Sequence, residues 1–405
     1  MNLKREIESR LEQLNSYALD PKGGLTRLLY TKEWKETQDH LRNEALSKGY
    51  DVQYDSIGNL YITLPGSSEE VILVGSHIDT VCQGGKLDGQ FGIVSGLIAL
   101  DYLKSKEGQP KKTIRVVSLA EEEGSRFPYT FWGSKNTTNS ANIEEVEHLV
   151  DNQGVNFMDA MRNCGFSYSK EKNHLFNNVS SFLEVHIEQG QILEKEKIQI
   201  GLVTDIVGQK RYSVTVQGQA NHAGTTPMHY RQDALLASSI LVQKVNELAR
   251  SISSTMVATV GKMEIFPNSS NVVAQEVQFT IDLRHTNVSE LERYEREIKE
   301  EFDAISTQQD VKYSMKKYMD GKPVKLDESL LKTIKDVCRK HNISYKEMIS
   351  GAGHDAQIFA PLVQTALVFV PSIGGISHNP SENTAIEDLE TGVKVLIESL
   401  KKLAY

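Results

Sequence analysis

The chain has 405 residues, more than one hydrophobic core usually supports, so its length predicts two domains. With 39% hydrophobic and 24% charged residues it is typical of globular proteins, which excludes collagen-like and disordered chains. The net charge of -9 and the lack of a basic stripe argue against nucleic-acid partners.

The N-terminal segment favours a helix over a targeting signal. Leu3, Ile7, Leu11 and Leu14 recur at helical spacing, without the apolar core and cleavage site of a signal peptide. Since no apolar run reaches the length of a bilayer span, we expect a cytoplasmic protein without a membrane partner. The three cysteines lack CxxC spacing, so the sequence indicates neither a disulfide framework nor a thiolate zinc site.

The first part of the chain alternates strand-like and helix-like segments. Strands are predicted over 59–64, 71–74 and 113–120, with a helix over 92–103. This rhythm is typical of an α/β layer around a largely buried sheet. Residues 134–178 are polar and rich in Asn, and we interpret them as an insertion.

The pattern changes near residue 209. Tyr212, Val214 and Val216 alternate with polar residues, as in a sheet with one wet face. Helices are predicted over 231–252 and 289–305. Two strands lie between them, around 257–265 and 271–284, and a last strand near 311–318 closes a compact β-α-β-β-α unit.

After residue 323 the first rhythm resumes, so the simplest topology is one domain inserted into another. The prediction is an α/β protein whose first domain comprises 1–208 and 325–405. The inserted α+β domain, 209–324, is expected to contain a four-stranded antiparallel sheet with two helices.

Polar residues follow the apolar run 71–74 at once. His77 and Asp79 lie two apart in extended chain and can face one side, where the aspartate can orient the imidazole. Asp88 is followed by a glycine, which lets the backbone approach a neighbouring group closely. Alone, this stretch is more typical of a solvated turn with a satisfied histidine.

Three further strand ends shift that interpretation. Each again has a structural alternative, either a solvated acidic turn or a packed histidine. Four such ends together indicate a hydrolytic site for Zn, Mn, Co or similar ions, and a bridging carboxylate would allow two ions. The three are Glu121-Glu122-Glu123 after 113–119, Glu184 and His186 with Gln189 in 181–189, and His378 after 365–370.

Eight motifs occur in order along nearly the whole chain: SHIDTV, LDGQFG, EEEGSRF, EVHIEQG, NHAGTTPM, DLRH, SGAGHDA and GISHNP. Together they resemble the amidohydrolases of the M20 peptidase clan, in the branch of allantoate amidohydrolases and N-carbamoyl amino acid hydrolases. The resemblance implies a di-metal catalytic domain and an inserted lid and dimerisation domain, hence a homodimer. It also implies two divalent ions per subunit, with Mn or Zn expected and Co or Ni compatible.

The resemblance assigns the ion ligands position by position. His77 and His186 hold one ion, and Glu123 and His378 hold the other. Asp88 bridges both ions.

The resemblance also assigns residues to catalysis. Glu122 becomes the general base, Asp79 supports His77, and Glu121 is left without a role. His222 resembles a lid histidine that reaches the active site of the partner subunit and assists the developing oxyanion. Its structural alternative is a turn residue in a loop flanked by glycine.

Substrate contacts follow from the same resemblance. Arg284 matches an arginine that grips a carboxylate, and Asn271 matches the amide that assists it. His354 is expected to line the site, and Gln189 either contacts substrate or orders its loop. Arg211 either makes a second ureido or carboxylate contact or is a solvated residue on the wet sheet face, and the sequence leaves both open.

The expected reaction is metal-dependent hydrolysis of a terminal ureido group of allantoate, which yields ureidoglycine, ammonia and carbon dioxide and serves purine nitrogen salvage. The substrate is thus a small ureido compound with a carboxylate. The nearest alternative is an N-carbamoyl-L-amino acid or β-ureidopropionate hydrolase with the same mechanism. A dipeptidase and a non-catalytic binding module are further alternatives, and the presence of Glu122 disfavours the last.

Overall fold

The computed structural model describes residues 1–405, which form two compact units. The first unit contains Met1–Thr204 and Lys325–Tyr405, and the second contains Asp205–Val324. The segment 209–324, expected to be an inserted domain, lies within the second unit. The lid and dimerisation roles expected for it stay predictions.

Eleven α-helices and fourteen strands make up the two units. None of the helices combines the length and the apolar composition needed to cross a membrane. The helices are α1 Leu3–Ser16, α2 Lys32–Ser47, α3 Gln90–Lys106, α4 Trp132–Thr137, α5 Phe157–Asn163, α6 Ile192–Glu196, α7 Ala234–Ile252, α8 Val288–Gln308, α9 Glu328–Lys340, α10 Ala356–Phe359 and α11 Ile386–Ala404. The strands are β1 Asp51–Tyr54, β2 Leu60–Leu64, β3 Val71–His77, β4 Thr113–Leu119, β5 Val179–Ile187, β6 Ile200–Ile206, β7 Gly208–Gln217, β8 Val257–Thr259, β9 Met263–Phe266, β10 Glu276–His285, β11 Lys312–Gly321, β12 Val324–Lys325, β13 Tyr345–Ser350 and β14 Gln364–Val370.

The first unit is built around a nine-stranded mixed sheet in the order β1-β2-β4-β3-β5-β14-β6-β12, with β13 also paired to β6. Its centre is parallel, because β3 pairs in parallel with β4 and β5, and β5 pairs in parallel with β14. Antiparallel strands flank this centre, β2 beside β4 and β6 beside β14. The carboxyl ends of four parallel strands therefore meet at one edge of the sheet.

The central strands are apolar because both faces of the sheet are covered. β3 is buried along its whole length, and β14 is buried after its first residue. Helix α3 packs on β3, β4 and β5 and is itself flanked by α1 and α11. It is buried on nearly every side, as expected for a helix that is apolar all round. Its only basic residues, Lys104 and Lys106, lie in the last turn, where they interact favourably with the helix dipole.

The second unit has its own sheet and core. Its strands run in the order β11-β7-β10-β8, with β9 also paired to β10, and the pairs are antiparallel. Burial alternates along β7 and β10, so one face of the sheet is apolar and the other is wet. Val214, Phe279, Leu241 and Phe302 from the sheet, α7 and α8 meet in its core.

The predicted α/β fold with a second antiparallel sheet is confirmed. One detail differs, since the strand expected over 257–265 is divided into β8 and β9, which gives this sheet five strands. Both short strands pair with β10.

Candidate metal centre and active site

The candidate site lies at the carboxyl edge of the parallel strands of the first unit. β3 ends at His77, and β5 ends one residue after His186. The Glu122-Glu123 turn follows β4, and the loop with His378 follows β14. Since the ends of parallel strands meet at the same edge, the topology brings together residues from distant parts of the chain.

Asp88 is the centre of this group. Its Oδ1 lies 3.0 Å from His186 Nε2 and 3.6 Å from His77 Nε2. Its Oδ2 lies 3.0 Å from His378 Nε2, and that same nitrogen lies 3.1 Å from Glu123 Oε1. The five side chains expected to hold ions therefore meet in one cluster centred on the buried Asp88 carboxylate.

Hydrogen bonds select the tautomers of the two buried histidines. His186 Nδ1 lies 2.9 Å from the carbonyl oxygen of Ile187, and His77 Nδ1 lies 3.1 Å from that of Asp79. A carbonyl only accepts, so Nδ1 carries the proton in both rings. Both Nε2 atoms then offer a lone pair toward Asp88, as metal ligation requires.

Asp79 organises the turn that carries Glu122 and Glu123. Its Oδ1 accepts from the backbone N–H of Glu122 at 2.9 Å, and its Oδ2 accepts from that of Glu123 at 3.2 Å. Oδ1 also lies 3.2 Å from His77 Nδ1. Asp79 thus holds three groups, where the sequence analysis expected it to support His77 alone.

A buried arginine, which the sequence analysis did not single out, lies near Asp79. Arg27 donates to the carbonyl oxygens of Ile78 and Leu14 and to Gln90 Oε1. Burial lowers the pKa of Arg27 to about 10, and the charge of Asp79 opposes that shift. The arginine is thus a fixed positive charge behind the site. Nothing in the local pattern at position 27 marks it, because its acceptors come from three separate segments.

The carboxylates of the site are electrostatically crowded. Burial, followed by the charge of Glu123, raises the pKa of Glu122 well above its usual value. Burial also raises the pKa of Glu121, whose carboxylate accepts from the N–H of Gly124 and so closes the turn. Hydrogen bonds to Asp88 and Glu123 raise the pKa of His378 to about 11. The site therefore favours added positive charge.

Gln189 and His354 both contact ion-holding side chains. Gln189 Nε2 donates to Asp88 Oδ2 at 3.0 Å, while its buried Oε1 has no hydrogen-bond partner. The ring of His354 packs edge-on against His186 at 4.6 Å, and burial lowers the pKa of His354, so this imidazole is neutral. Two carboxylates support the same region: Glu184 accepts from Ser76 Oγ and Ala356 N, and Glu382 accepts from Leu87 N, Asp88 N and Ser377 Oγ.

The two predicted substrate arginines of the second unit meet at one aspartate. Asp282 Oδ2 accepts from Arg211 Nε at 2.9 Å, and Asp282 Oδ1 accepts from Arg284 Nε at 2.8 Å. Gln209 Nε2 also donates to Asp282 Oδ2 at 2.9 Å. Asp282 therefore holds both guanidinium groups. Asp282 was not singled out, although its position two residues before Arg284 on a strand places both side chains on one face.

The loop of His222 is also ordered within the second unit. His222 Nδ1 accepts from the N–H of Gly224 at 3.0 Å and from that of Thr225 at 3.3 Å. The proton must therefore be on Nε2, which leaves the exposed ring as a hydrogen-bond donor. Asn271 holds this loop in place, because its backbone carbonyl oxygen accepts from Ala223 N at 3.0 Å.

Comparison with known proteins identifies the family. A family model described as Peptidase family M20/M25/M40 matches residues 73–402. The chain belongs to this family. The predictions that it is a hydrolase of the M20 clan with an α/β fold are thereby confirmed.

Several members of the M20 family match along the whole chain. An allantoate amidohydrolase of Escherichia coli (strain K12) is 45% identical over 406 residues, covering 100% of this chain and 99% of the relative. An N-carbamoyl-L-amino-acid amidohydrolase of Pseudomonas sp. (strain NS671) is 32% identical over 406 residues, covering 98% of each. The crystal structure of an amidase of the hydantoinase/carbamoylase family from Burkholderia multivorans matches with a TM-score of 0.92 at 31% identity, covering 99% of this chain and 98% of that one.

M20 enzymes depend on metal ions, and the donor set of this chain fits that requirement. In each of three groups the ligand atoms all lie within 4.8 Å of one another. The donors are imidazole and carboxylate without thiolate, a combination that suits Zn, Mn, Co or Ni. The groups are His77, Asp88 and His186; His77, Glu122 and Glu123; and Asp88, Glu123 and His378.

Proposed function

We propose that this M20 enzyme hydrolyses a terminal ureido group of allantoate to ureidoglycine, ammonia and carbon dioxide. The observation that carries the proposal is the 45% identity, along the whole chain, to a protein named allantoate amidohydrolase. The corresponding identity to an N-carbamoyl-L-amino-acid amidohydrolase is 32%. The buried cluster around Asp88 and the base Glu122 supply the groups that such hydrolysis needs.

The ion assignment follows the contacts of Asp88. We propose that His77 and His186 hold one divalent ion, that Glu123 and His378 hold the other, and that Asp88 bridges them. Such ions, with Mn or Zn proposed, polarise a carbonyl and lower the pKa of a water molecule. Elemental analysis of the purified chain tests both the number and the identity of the ions.

Glu122 performs the proton transfers in this proposal. It takes a proton from water as the water oxygen attacks the ureido carbonyl carbon, and it delivers that proton to the departing nitrogen. The C–N bond breaks, ammonia leaves, and the remaining carbamate loses carbon dioxide to leave the amine. The hydrogen bond from Glu122 N to Asp79 fixes the backbone of the base. Its carboxylate therefore moves only by rotation about the side-chain bonds of Glu122.

Substrate recognition is assigned to two arginines of the second unit, to Gln189 and to His222. Arg284 would grip the carboxylate, because its planar fork suits a two-point contact. Arg211, which like Arg284 donates to Asp282, would contact the second ureido group or the substrate carboxylate. Gln189 Oε1, buried without a partner, would accept a ureido N–H, and His222 Nε2–H would donate to the oxyanion.

Asn271 and His354 would support neighbouring residues of the proposed site. Asn271 fastens the loop of His222, and the neutral ring of His354 supports His186.

Dimerisation through the second unit is part of the proposal. Large apolar side chains are exposed there, including Met228 and Tyr230 at 70% each, Val257 at 53% and Leu236 at 45%. Where such side chains form a contiguous patch, the patch marks a protein contact surface. Light scattering should give a dimer for the parent chain and a monomer for Leu236→Glu. A parent chain that stays monomeric at assay concentration would contradict the dimer.

The substrate assignment is tested by ammonia release. The purified chain, loaded with Mn or Zn, is offered allantoate, N-carbamoyl-β-alanine and a set of N-carbamoyl-L-amino acids. We expect kcat/KM to be highest for allantoate. Activity confined to the carbamoyl amino acids would overturn the proposal in favour of its nearest alternative.

A further inference from the structure

Glu382 joins the two loops that carry Asp88 and His378. Its Oε1 accepts from the backbone N–H groups of Leu87 at 2.9 Å and Asp88 at 3.1 Å. Its Oε2 accepts from Ser377 Oγ at 2.8 Å. Glu382 is 1% exposed, so these bonds form away from water, where a missing partner is costly.

Gly85 provides the space that Glu382 occupies. A Cβ atom at position 85 would lie 2.0 Å from both Cδ and Oε1 of Glu382 and 2.3 Å from Oε2. Packed atoms do not approach so closely. The backbone of Gly85 does not require glycine for its φ, because it is absent from the residues with a positive φ. Glycine is therefore needed here for the close approach of the carboxylate.

The His378 loop needs such an attachment. His378 has a φ of 55°, in the left-handed region that residues with a side chain rarely adopt. Its side chain is 47% exposed, so packing alone does not hold it. Ser377, its neighbour, lies between two carboxylates, with its Oγ 2.8 Å from Glu382 Oε2 and 3.2 Å from Asp88 Oδ2. Besides His378 itself, this hydroxyl and the Glu382 carboxylate thus tie the loop to the Asp88 turn.

We propose that Glu382, seated against Gly85, is a positioning residue that fixes His378 relative to Asp88. This inference rests on the proposed two-ion site and adds a residue to it. Only the ion held by Asp88, Glu123 and His378 depends on the His378 loop. Loss of Glu382 should therefore weaken that ion most, because it loses both the fixed His378 and the fixed Asp88. The ion held by His77 and His186 is affected only through Asp88.

The test is a titration of the metal-free full chain with Mn²⁺ by calorimetry. We expect Glu382→Ala and Gly85→Ala each to weaken one of two binding events by about 10- to 100-fold, the range for residues that orient metal ligands. The other event should weaken clearly less, because its ion keeps His77 and His186 and is affected only through Asp88. Glu382→Gln should restore most of the affinity, because its amide oxygen still accepts from Leu87 N and Asp88 N.

Two controls match these changes. Gly261→Ala is a glycine substitution with no atom within 4 Å of the new Cβ, and Glu387→Ala removes an exposed glutamate. Both should bind like the parent. Three results would overturn the positioning role. Glu382→Ala could bind both ions like the parent, or it could weaken both binding events equally. The third such result is a Glu382→Gln variant with no higher affinity for the ion than Glu382→Ala.

Hydrogen exchange keeps this result separate from the proposed reaction. In the metal-free chain the amides of Leu87 and Asp88 should lose protection in Glu382→Ala and in Gly85→Ala, and should keep it in Glu382→Gln. This readout needs neither substrate nor ions. A chain inactive on allantoate that shows these changes would refute the proposed substrate and leave the role of Glu382 standing, whereas unchanged protection would refute that role.

Discussion

Replacing Asp79 with asparagine should destabilise the first unit and slow turnover, although the two side chains have nearly the same shape. Oδ1 of Asp79 accepts from Glu122 N at 2.9 Å and lies 3.2 Å from His77 Nδ1, while Oδ2 accepts from Glu123 N at 3.2 Å. An asparagine oxygen at the Oδ1 position keeps the first two contacts. Its NH₂ group then faces the N–H of Glu123, and two donors cannot bond.

The magnitude follows from that mismatch. One hydrogen bond to a charged group is lost, about 1.5 to 3 kcal/mol, and an unsatisfied buried donor costs about 1 to 3 kcal/mol. We expect the free energy of unfolding to fall by about 3 kcal/mol. Because the backbone of Glu123, a proposed ion ligand, is released, metal affinity or kcat should fall by about 10- to 100-fold.

Urea denaturation, monitored by tryptophan fluorescence, measures the free energy of unfolding of the first unit. The chain has 2 tryptophans, Trp34 and Trp132, and both are buried in the first unit. Asp51→Asn, at an exposed position of β1, is the matched control. The reasoning would be refuted if the free energies of unfolding of Asp79→Asn and of the control differ by less than about 0.5 kcal/mol, the usual range for surface changes.

Three further predictions address the base, the substrate and acid stability. Glu122→Gln should lower kcat by about 10²- to 10⁴-fold while both ions stay bound, and full turnover would remove Glu122 as the base. Arg284→Lys should raise KM for allantoate about tenfold with kcat little changed, because lysine lacks the planar fork; an unchanged KM would count against a carboxylate contact. Although burial opposes it, Lys210 at 2.9 Å lowers the pKa of Glu295 to about 2, so this pair stabilises the second unit above the ordinary pKa of 4.5 and loses its effect as pH falls toward 2. On acidification, the free energy of unfolding followed by circular dichroism should fall by about 1 kcal/mol less in Glu295→Gln than in the parent chain. An equal fall in both chains would contradict this.

Much of the site could be predicted because its position follows from a topological rule. Each apolar run ends at or is soon followed by a polar residue that could bind an ion. These residues mark the ends of parallel strands, which share an edge: His77, Glu122, His186 and His378. The wet face of the second sheet was predictable for another reason, since alternation along β7 and β10 is a local property.

The supporting contacts could not be predicted in the same way. Glu382 accepts from residues 295 and 294 positions away, and no local pattern encodes a bond over that separation. A carboxylate four residues after His378 in a loop rich in glycine and proline was the one available sign. The division between β8 and β9 escaped prediction because both pieces pair with the same strand, so the pattern reads as continuous.

The contrast between the two units bears on how such an enzyme can change its preference. Gly89, like Gly85, tolerates no side chain, since a Cβ there would lie 2.4 Å from the ring of His77. Laboratory libraries that diversify the turn between these glycines should therefore yield mostly inactive clones. The Arg211 and Arg284 strands stand on a separate core, so randomising their wet face leaves the ion-holding machinery intact. New selectivity for other ureido acids is best sought there.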